Sequence, residues 1–214
     1  DDQVRPALEK LLAEGKTLES RLAALWTLHG SDQLGEQALH RLRGDKEPAM
    51  RAWMARLIGE RGEASDRALQ ILAGLAGDRD PSVRLAVATA TRQFVSGSLT
   101  VNTPVAPKLR SADISAIQTA LLKSSADGKD PLLPFLIWMA IEPGVAAAPQ
   151  AALDWLAANG PATLPLSAHL TTKVMRRICD LRQPALLNQA VVFVGREARE
   201  TPALALAALD GLIE

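Results

Sequence analysis

The sequence predicts an all-α protein whose helices stack in pairs along one axis. Two observations carry this prediction: a helix-start pattern that recurs about every 30 residues, and apolar residues that repeat every three or four positions. The composition agrees, because aromatic residues make up only 3% of the 214 residues while Ala and Leu dominate. Such a composition suits closely packed helices better than sheet faces, which favour β-branched and aromatic side chains.

The clearest copy of the helix-start pattern is Asp80-Pro81-Ser82-Val83-Arg84. Asp80 can accept hydrogen bonds from free backbone N–H groups, and Pro81 lacks the N–H that has no partner at the first helical position. Arg84 follows Asp80 by four residues, so an ion pair between them is expected on the helix surface. An apolar stripe then follows, formed by Val83, Val87, Ala90 and Phe94.

Three other stretches vary this pattern. Residues 47–51 keep the acid, the proline and the arginine, and residues 17–21 begin with a capping Thr. Residues 130–134 keep the Asp-Pro start but place Pro134 where the arginine would fall. The fourth copy is therefore expected to lack the ion pair.

The three arginines of the pattern, Arg21, Arg51 and Arg84, occupy equivalent repeat positions. Stacked repeats would align them as a ladder beside acids such as Asp45 and Asp78. The favoured interpretation is structural, with each side chain tying adjacent turns together. The alternative is a row that faces a ligand or a partner protein.

A period of about 30 residues is typical of solenoids, and spacing alone would admit ankyrin or tetratricopeptide repeats. The ankyrin Thr-Pro-Leu-His stretch is missing, and a chain without Tyr cannot carry the tetratricopeptide pattern. Asp-Pro-x-Val-Arg followed by small and aliphatic residues instead resembles the second helix of HEAT repeats, over residues 16–95. The resemblance implies a HEAT/ARM-like solenoid, a right-handed α-α superhelix of about six helix pairs.

Residues 1–214 are expected to form a single repeat domain, a fragment of a larger protein. Short turns favour antiparallel neighbours within each pair. A segment rich in Ser, Thr and Pro interrupts the pattern and predicts a loop insertion at 96–111. The expected helices cover 3–14 and 18–28, 33–43 and 47–60, 65–76 and 80–95, 113–123 and a partner starting at Asp130, 145–158 and 165–180, and 184–198 and 202–213.

No catalytic constellation is recognisable. His29, His40 and His169 are the three histidines, and none has a neighbour placed as in a zinc, iron or haem signature. The expectation is therefore a chain without metal, cofactor or enzymatic activity of its own. The longest apolar run, 132–141, is too short to span a bilayer.

Charge offers little steering toward nucleic acid, since Lys plus Arg and Asp plus Glu number 24 each. Lys173, Arg176 and Arg177 nevertheless lie at helical offsets of 0, 3 and 4. A solvated helix face explains them best, and a phosphate-binding face is the less favoured alternative. The four tryptophans (Trp26, Trp53, Trp138 and Trp155) fall at different repeat positions and are expected to anchor the core.

Residues 130–143, DPLLPFLIWMAIEP, look like a motif of the planctomycete-type membrane-bound dehydrogenase family, with Met139 where an aromatic residue is expected. In that family a propeller precedes a HEAT-like region and a cytochrome c module follows it. The resemblance implies an extracytoplasmic scaffold that spaces the redox modules of a haem-containing oxidoreductase. Read physically, the run from Phe135 to Ile141 should be buried, and Glu142-Pro143 should end its helix.

Two other functions remain open at this point. One is a HEAT module that binds a protein partner or, less expected, nucleic acid through its basic face. The other is an enzyme resembling the HEAT-like bilin lyases, which only the Asp-Pro-x-Val-Arg repeat supports.

Overall fold

The computed structural model describes residues 4–62, 65–96 and 114–213. These residues form twelve α-helices and a short 3-10 helix at Ser125–Lys129. The predicted loop insertion at 96–111 lies outside the described residues, apart from Ser96, which ends a helix. The helices are α1 (Val4–Glu14), α2 (Leu18–Gly30), α3 (Glu36–Leu42), α4 (Pro48–Arg61), α5 (Asp66–Leu75), α6 (Pro81–Ser96), α7 (Ser115–Leu121), α8 (Leu133–Ala147), α9 (Pro149–Ala158), α10 (Ser167–Asp180), α11 (Pro184–Glu200) and α12 (Pro202–Ile213).

The helices alternate between two layers. Even-numbered helices pack side by side, most extensively α4 on α6, α6 on α8 and α10 on α12, while α5 contacts α7 and α9 contacts α11 in the odd layer. One contiguous apolar core runs between the layers, from Leu12 to Ala208. The predicted all-α, HEAT-like solenoid of six helix pairs is thus confirmed.

The helix starts follow the local chemistry read from the sequence. Thr17 Oγ1 accepts a hydrogen bond from the Ser20 amide at 3.2 Å, and Asp80 Oδ1 accepts from the Ser82 amide at 2.9 Å. Pro48 and Pro81 occupy the first positions of their helices. Because these signals are local in the chain, they place the helix starts close to their predicted positions.

Two glycines set how closely the even helices approach one another. A Cβ built on Gly59 of α4 would lie 2.7 Å from Ala90 Cα of α6, and one on Gly211 of α12 would lie 2.3 Å from the carbonyl oxygen of Thr172. Neither position has room for a side chain. The absence of a side chain at both places therefore permits the close contacts α4–α6 and α10–α12.

The prediction that Glu142-Pro143 ends a helix is wrong, since α8 continues through Pro143 to Ala147. Proline cannot donate to the carbonyl four residues earlier, which is that of Met139. Arg92 of α6 supplies a donor instead, with Nη1 2.7 Å from the Met139 oxygen, and Gln118 Nε2 donates to the Ala140 oxygen at 3.0 Å. Arg92 thus satisfies the carbonyl that the proline leaves open, and Gln118 adds a bond to the next carbonyl.

The expected burial of the run from Phe135 is also wrong in part. Ile137 and Ala140 are buried, but Phe135 is 50% exposed. Trp26 likewise departs from the expected core position, being 43% exposed with its ring edge-to-face on Trp53 at a centroid distance of 4.9 Å. A helix with apolar residues on every side still turns one face outward unless a neighbouring element covers it.

Candidate functional site

The arginine row is an Arg–Asp ladder, consisting of Arg21 with Asp45, Arg51 with Asp78 and Arg84 with Asp127. Each arginine lies on an even helix, and each aspartate lies in the connection that precedes the next even helix, Asp127 within the 3-10 helix. For the middle rung, Arg51 Nε and Nη2 donate to the two carboxylate oxygens of Asp78 at 2.7 and 2.8 Å. Such a bidentate pair fixes the angle between neighbouring repeats as well as their distance.

Each arginine also binds a backbone carbonyl of its own repeat. Arg51 Nη1 donates to the Asp45 oxygen at 2.6 Å, Arg21 Nε donates to the Leu12 oxygen at 2.9 Å, and Arg84 Nη1 donates to the Asp78 oxygen. Asp45 and Asp78 therefore serve two rungs, accepting through the side chain from one arginine and through the backbone from the next. The rungs are joined into one continuous chain of hydrogen bonds.

The third rung corrects one expectation and adds a residue. Arg84 pairs with Asp127, not with Asp80, whose carboxylate caps the start of α6. Asp127 precedes its Asp-Pro start by three residues, whereas Asp78 precedes Asp80 by two. Because of this one-residue shift, which the 3-10 helix accommodates, the sequence pattern did not identify Asp127 as the equivalent of Asp78. Comparing the residues just before each Asp-Pro start would have suggested it.

The ladder consists of one buried ion pair, Arg84 with Asp127, and two partly buried ones. Burial by itself raises the pKa of Asp78, but the hydrogen bonds from Arg51 and from the Asp80 amide outweigh it and lower that pKa below its ordinary value. The same causes lower the pKa of Asp45, with Arg21 and the Glu47 amide as donors. Because all three guanidinium nitrogens of each ladder arginine are engaged, this geometry supports the structural interpretation over a row that faces a partner.

The three basic residues at helical spacing on α10, Lys173, Arg176 and Arg177, lie in two different surroundings. Arg177 Nε lies 2.9 Å from Glu142 Oε1 of α8, and Arg92 Nη1 of α6 lies 3.3 Å from the other oxygen of that carboxylate. Glu142 thereby ties three even helices together beyond the last rung of the ladder. Lys173 and Arg176 instead line a groove between α8 and α10.

This groove, which we call the α8/α10 groove, has a volume of about 370 Å³. It forms where α8 and α10 make less extensive contact than α6 and α8 or α10 and α12 do. Its two walls each carry side chains at intervals of three or four residues, the spacing of one helix face. The α8 wall consists of Pro131, Pro134, Phe135 and Trp138, and the α10 wall consists of His169, Thr172, Lys173 and Arg176.

The two walls differ in chemistry. Phe135 is half exposed and Trp138 half-buried, so the α8 wall offers apolar and aromatic surface to solvent. The α10 wall is polar and basic, and buried Ile137 and Leu170 also line the groove. Sequence reasoning identified Lys173 and Arg176 but placed Trp138 in the core, because only the packing shows which helix faces leave a gap.

Asp130, the one carboxylate among the described residues that line the groove, caps the start of α8. Its Oδ1 accepts hydrogen bonds from the Leu132 and Leu133 amides at 2.8 and 2.9 Å, and these bonds lower its pKa. The groove thus brings Lys173 and Arg176 of the α10 wall together with Asp130, and the half-exposed Phe135 lies beside them.

Other kinds of site were sought in the part of the chain that the structure describes. His29, His40 and His169 lie on α2, α3 and α10, and no group of three or more His, Cys, Asp or Glu is placed there to hold a metal ion. Within those same residues, no helix combines the length and the apolar character needed to cross a membrane.

Comparisons with known proteins address the repeats. Neither the curated proteins nor the solved structures contain a match to this chain. A family model described as HEAT repeats matches residues 35–113, a stretch that includes α3 to α6 and two arginines of the ladder. That match agrees with the two-layer packing, and residues 35–113 are accordingly similar in sequence to HEAT repeats.

Proposed function

We propose that this chain is a scaffold for protein interaction, without catalysis of its own. The observation that carries the proposal is the α8/α10 groove, a cleft in the helix stack that is lined by half-exposed Phe135, by half-buried Trp138 and by the half-buried basic residues Lys173 and Arg176. Aromatic residues and arginine are the types enriched in the energetic centres of protein interfaces. HEAT-like repeats suit this role because they build extended surfaces from units that contact only their neighbours.

A more specific role as a spacer in an extracytoplasmic haem-containing oxidoreductase rests on the resemblance of residues 130–143 to the membrane-bound dehydrogenase family. What supports it physically is the set of side-chain bonds that connects that region to its neighbours. Glu142 and the carbonyls around Pro143 link α8 to α6, α7 and α10. A junction cross-linked in this way would hold modules on either side at a fixed separation.

The spacer role can be tested on the gene itself. If it is correct, the complete reading frame encodes a propeller before this segment and a Cys-x-x-Cys-His module after it. A reading frame without either module would refute the spacer role and would leave the scaffold proposal untouched.

The scaffold proposal is tested by selecting displayed random peptides on the immobilised chain and measuring the affinity of the selected peptides by fluorescence anisotropy. We expect a reproducible peptide family with a Kd in the micromolar range, near −8 kcal/mol. Labelled single-stranded and duplex oligonucleotides serve as the comparison. Oligonucleotide binding that weakens steeply with salt, without any peptide binding, would favour the nucleic-acid alternative and refute the proposal.

A further inference from the structure

Helix α12 has the composition of a helix in the interior of a protein. Of its twelve residues, Asp210 is the one with a charged side chain. A helix that is apolar on all sides is normally covered on all sides. Among the described residues, α12 packs mainly on α10 and α11, so part of its apolar surface stays in contact with solvent.

The uncovered side of α12 is turned away from α10. On the side toward α10, the Ala207 oxygen accepts a hydrogen bond from Thr172 Oγ1 at 3.0 Å, and Gly211 permits a close approach. The far side carries three aliphatic residues at helical spacing, each between 42% and 80% exposed: Leu206, Leu209 and Ile213.

Helix α11 contributes to the same outward surface. Val192 lines a groove between α9 and α11, whereas Val191, 100° away around the helix by the usual geometry of about 100° per residue, does not. Val191 is 63% exposed. Both layers of the stack therefore present uncovered aliphatic side chains here. We call this surface the α11/α12 end face and define it by four residues: Val191, Leu206, Leu209 and Ile213.

We infer that the α11/α12 end face is an interface between repeats, and that a further HEAT-like helix pair of the same polypeptide covers it. The pair would add one helix to each layer of the stack. It would place aliphatic side chains against Leu206, Leu209 and Ile213. This packing does not require that the α8/α10 groove bind a partner.

The other repeats show how such a face is covered. In the even layer α6 covers α4, α8 covers α6 and α12 covers α10, while α11 covers α9 in the odd layer. Each contact removes apolar surface from water by adding the next helix. Terminal repeats of solenoids instead need a polar outer face, because no neighbour covers them. The apolar α11/α12 end face is thus that of an internal repeat.

The size of the end face favours a neighbour in the same polypeptide over a second copy of the chain. A helix as long as α12 spans about 18 Å, and neighbouring helices lie about 10 Å apart. Two helices side by side then present a patch of roughly 400 Å², below the roughly 800 Å² that each partner buries in a stable interface between separate chains. A covalent link compensates for a small contact, because it holds the neighbour at a high effective concentration.

The test compares hydrogen exchange in the chain of 214 residues with exchange in the intact protein encoded by the complete reading frame. We expect the amides of α12 to exchange at least about tenfold more slowly in the intact protein, because a covering helix pair suppresses local opening. Equal exchange of α12 in the two proteins would overturn the inference.

Two adjacent valines provide a matched control. In the intact protein, Val191→Ser and Leu209→Ser should each remove most of the added protection of α12. Val192→Ser should retain it, since Val192 is 71% exposed but lies on the side of the α9/α11 groove. An equal loss in Val191→Ser and Val192→Ser would contradict the assignment of the end face. Circular dichroism establishes that each variant is folded.

Two further measurements exclude other occupants. In sedimentation equilibrium we expect the chain of 214 residues to be a monomer at micromolar concentrations, and a dimer that Leu209→Ser dissociates would assign the end face to a second copy. A complete reading frame that encodes no amphipathic helix pair after α12 would also refute the inference. Neither result bears on the peptide selection that tests the scaffold proposal, so the two proposals can fail separately.

Discussion

Breaking one rung of the Arg–Asp ladder should destabilise the whole solenoid. In Arg51→Met the unbranched apolar stem is retained, but three hydrogen bonds are lost. Asp78 loses its two guanidinium donors, and the Asp45 carbonyl loses the bond from Arg51 Nη1. Removing one partner of a buried ion pair costs about 3–5 kcal/mol, because the other charge stays buried without compensation. The Arg51 and Asp78 side chains remain 14% and 10% exposed, so we expect the lower end, about 3 kcal/mol.

The measurement is the free energy of unfolding from urea denaturation, followed by the helical circular dichroism signal. Arg5→Met is the matched control, because Arg5 pairs with Glu9 on the exposed surface of α1, with the two side chains 53% and 43% exposed. We expect that change to cost no more than about 0.5 kcal/mol. If Arg51→Met costs less than about 1 kcal/mol, or no more than the control, the ladder does not hold the repeats together.

A double-mutant cycle separates the ion pair from the packing of Arg51. In Arg51→Met/Asp78→Asn no charge is left unpaired, while Asn can still accept the hydrogen bond from the Asp80 amide. The double variant should therefore be destabilised by less than the sum of the two single changes. Strict additivity would show that Arg51 and Asp78 do not act as a pair.

The remaining predictions concern packing and pH. Gly59→Ala should destabilise the chain by about 1–3 kcal/mol, because the new Cβ would clash with the backbone of α6. Gly195→Ala, where a Cβ has open space, should stabilise α11 by up to about 1 kcal/mol. Melting temperatures that shift in the same direction for both variants would contradict this. Ile137→Ala should lower the free energy of unfolding by about 2–5 kcal/mol through a core cavity, and Phe135→Ala, at a half-exposed position, by no more than about 1 kcal/mol. The reverse order in urea titrations would show that the face of α8 with Phe135 lies in the core. Because the folded chain lowers the pKa of Asp78 below its unfolded value near 3.9, the stabilisation from this residue is complete above about pH 5 and is lost as the pH falls through the folded pKa. The free energy of unfolding should thus fall less between neutral and acid pH in Asp78→Asn than in the wild-type chain, and parallel pH profiles would argue against this role.

The sequence by itself determined the elements and their order. Capping residues, prolines at first helical positions and apolar stripes act over a few neighbouring residues, so the six pairs and most helix starts could be predicted from local pattern. Repetition also allowed contacts between repeats to be predicted, because Arg21, Arg51 and Arg84 recur in equivalent places. Their alignment beside Asp45 and Asp78 followed from stacking alone.

Tertiary structure decided which faces are covered and which partners complete each bond. Pro143 signals a helix end in the sequence, yet α8 continues because Arg92, 51 residues earlier, reaches the carbonyl that proline leaves open. Phe135 has the composition of a core residue and is half exposed, because its burial depends on how closely α8 and α10 approach. Local pattern fixes where a helix begins, whereas the distance between two helices depends on the side chains of both. The α8/α10 groove depends on such a distance, so it could not be predicted from local pattern.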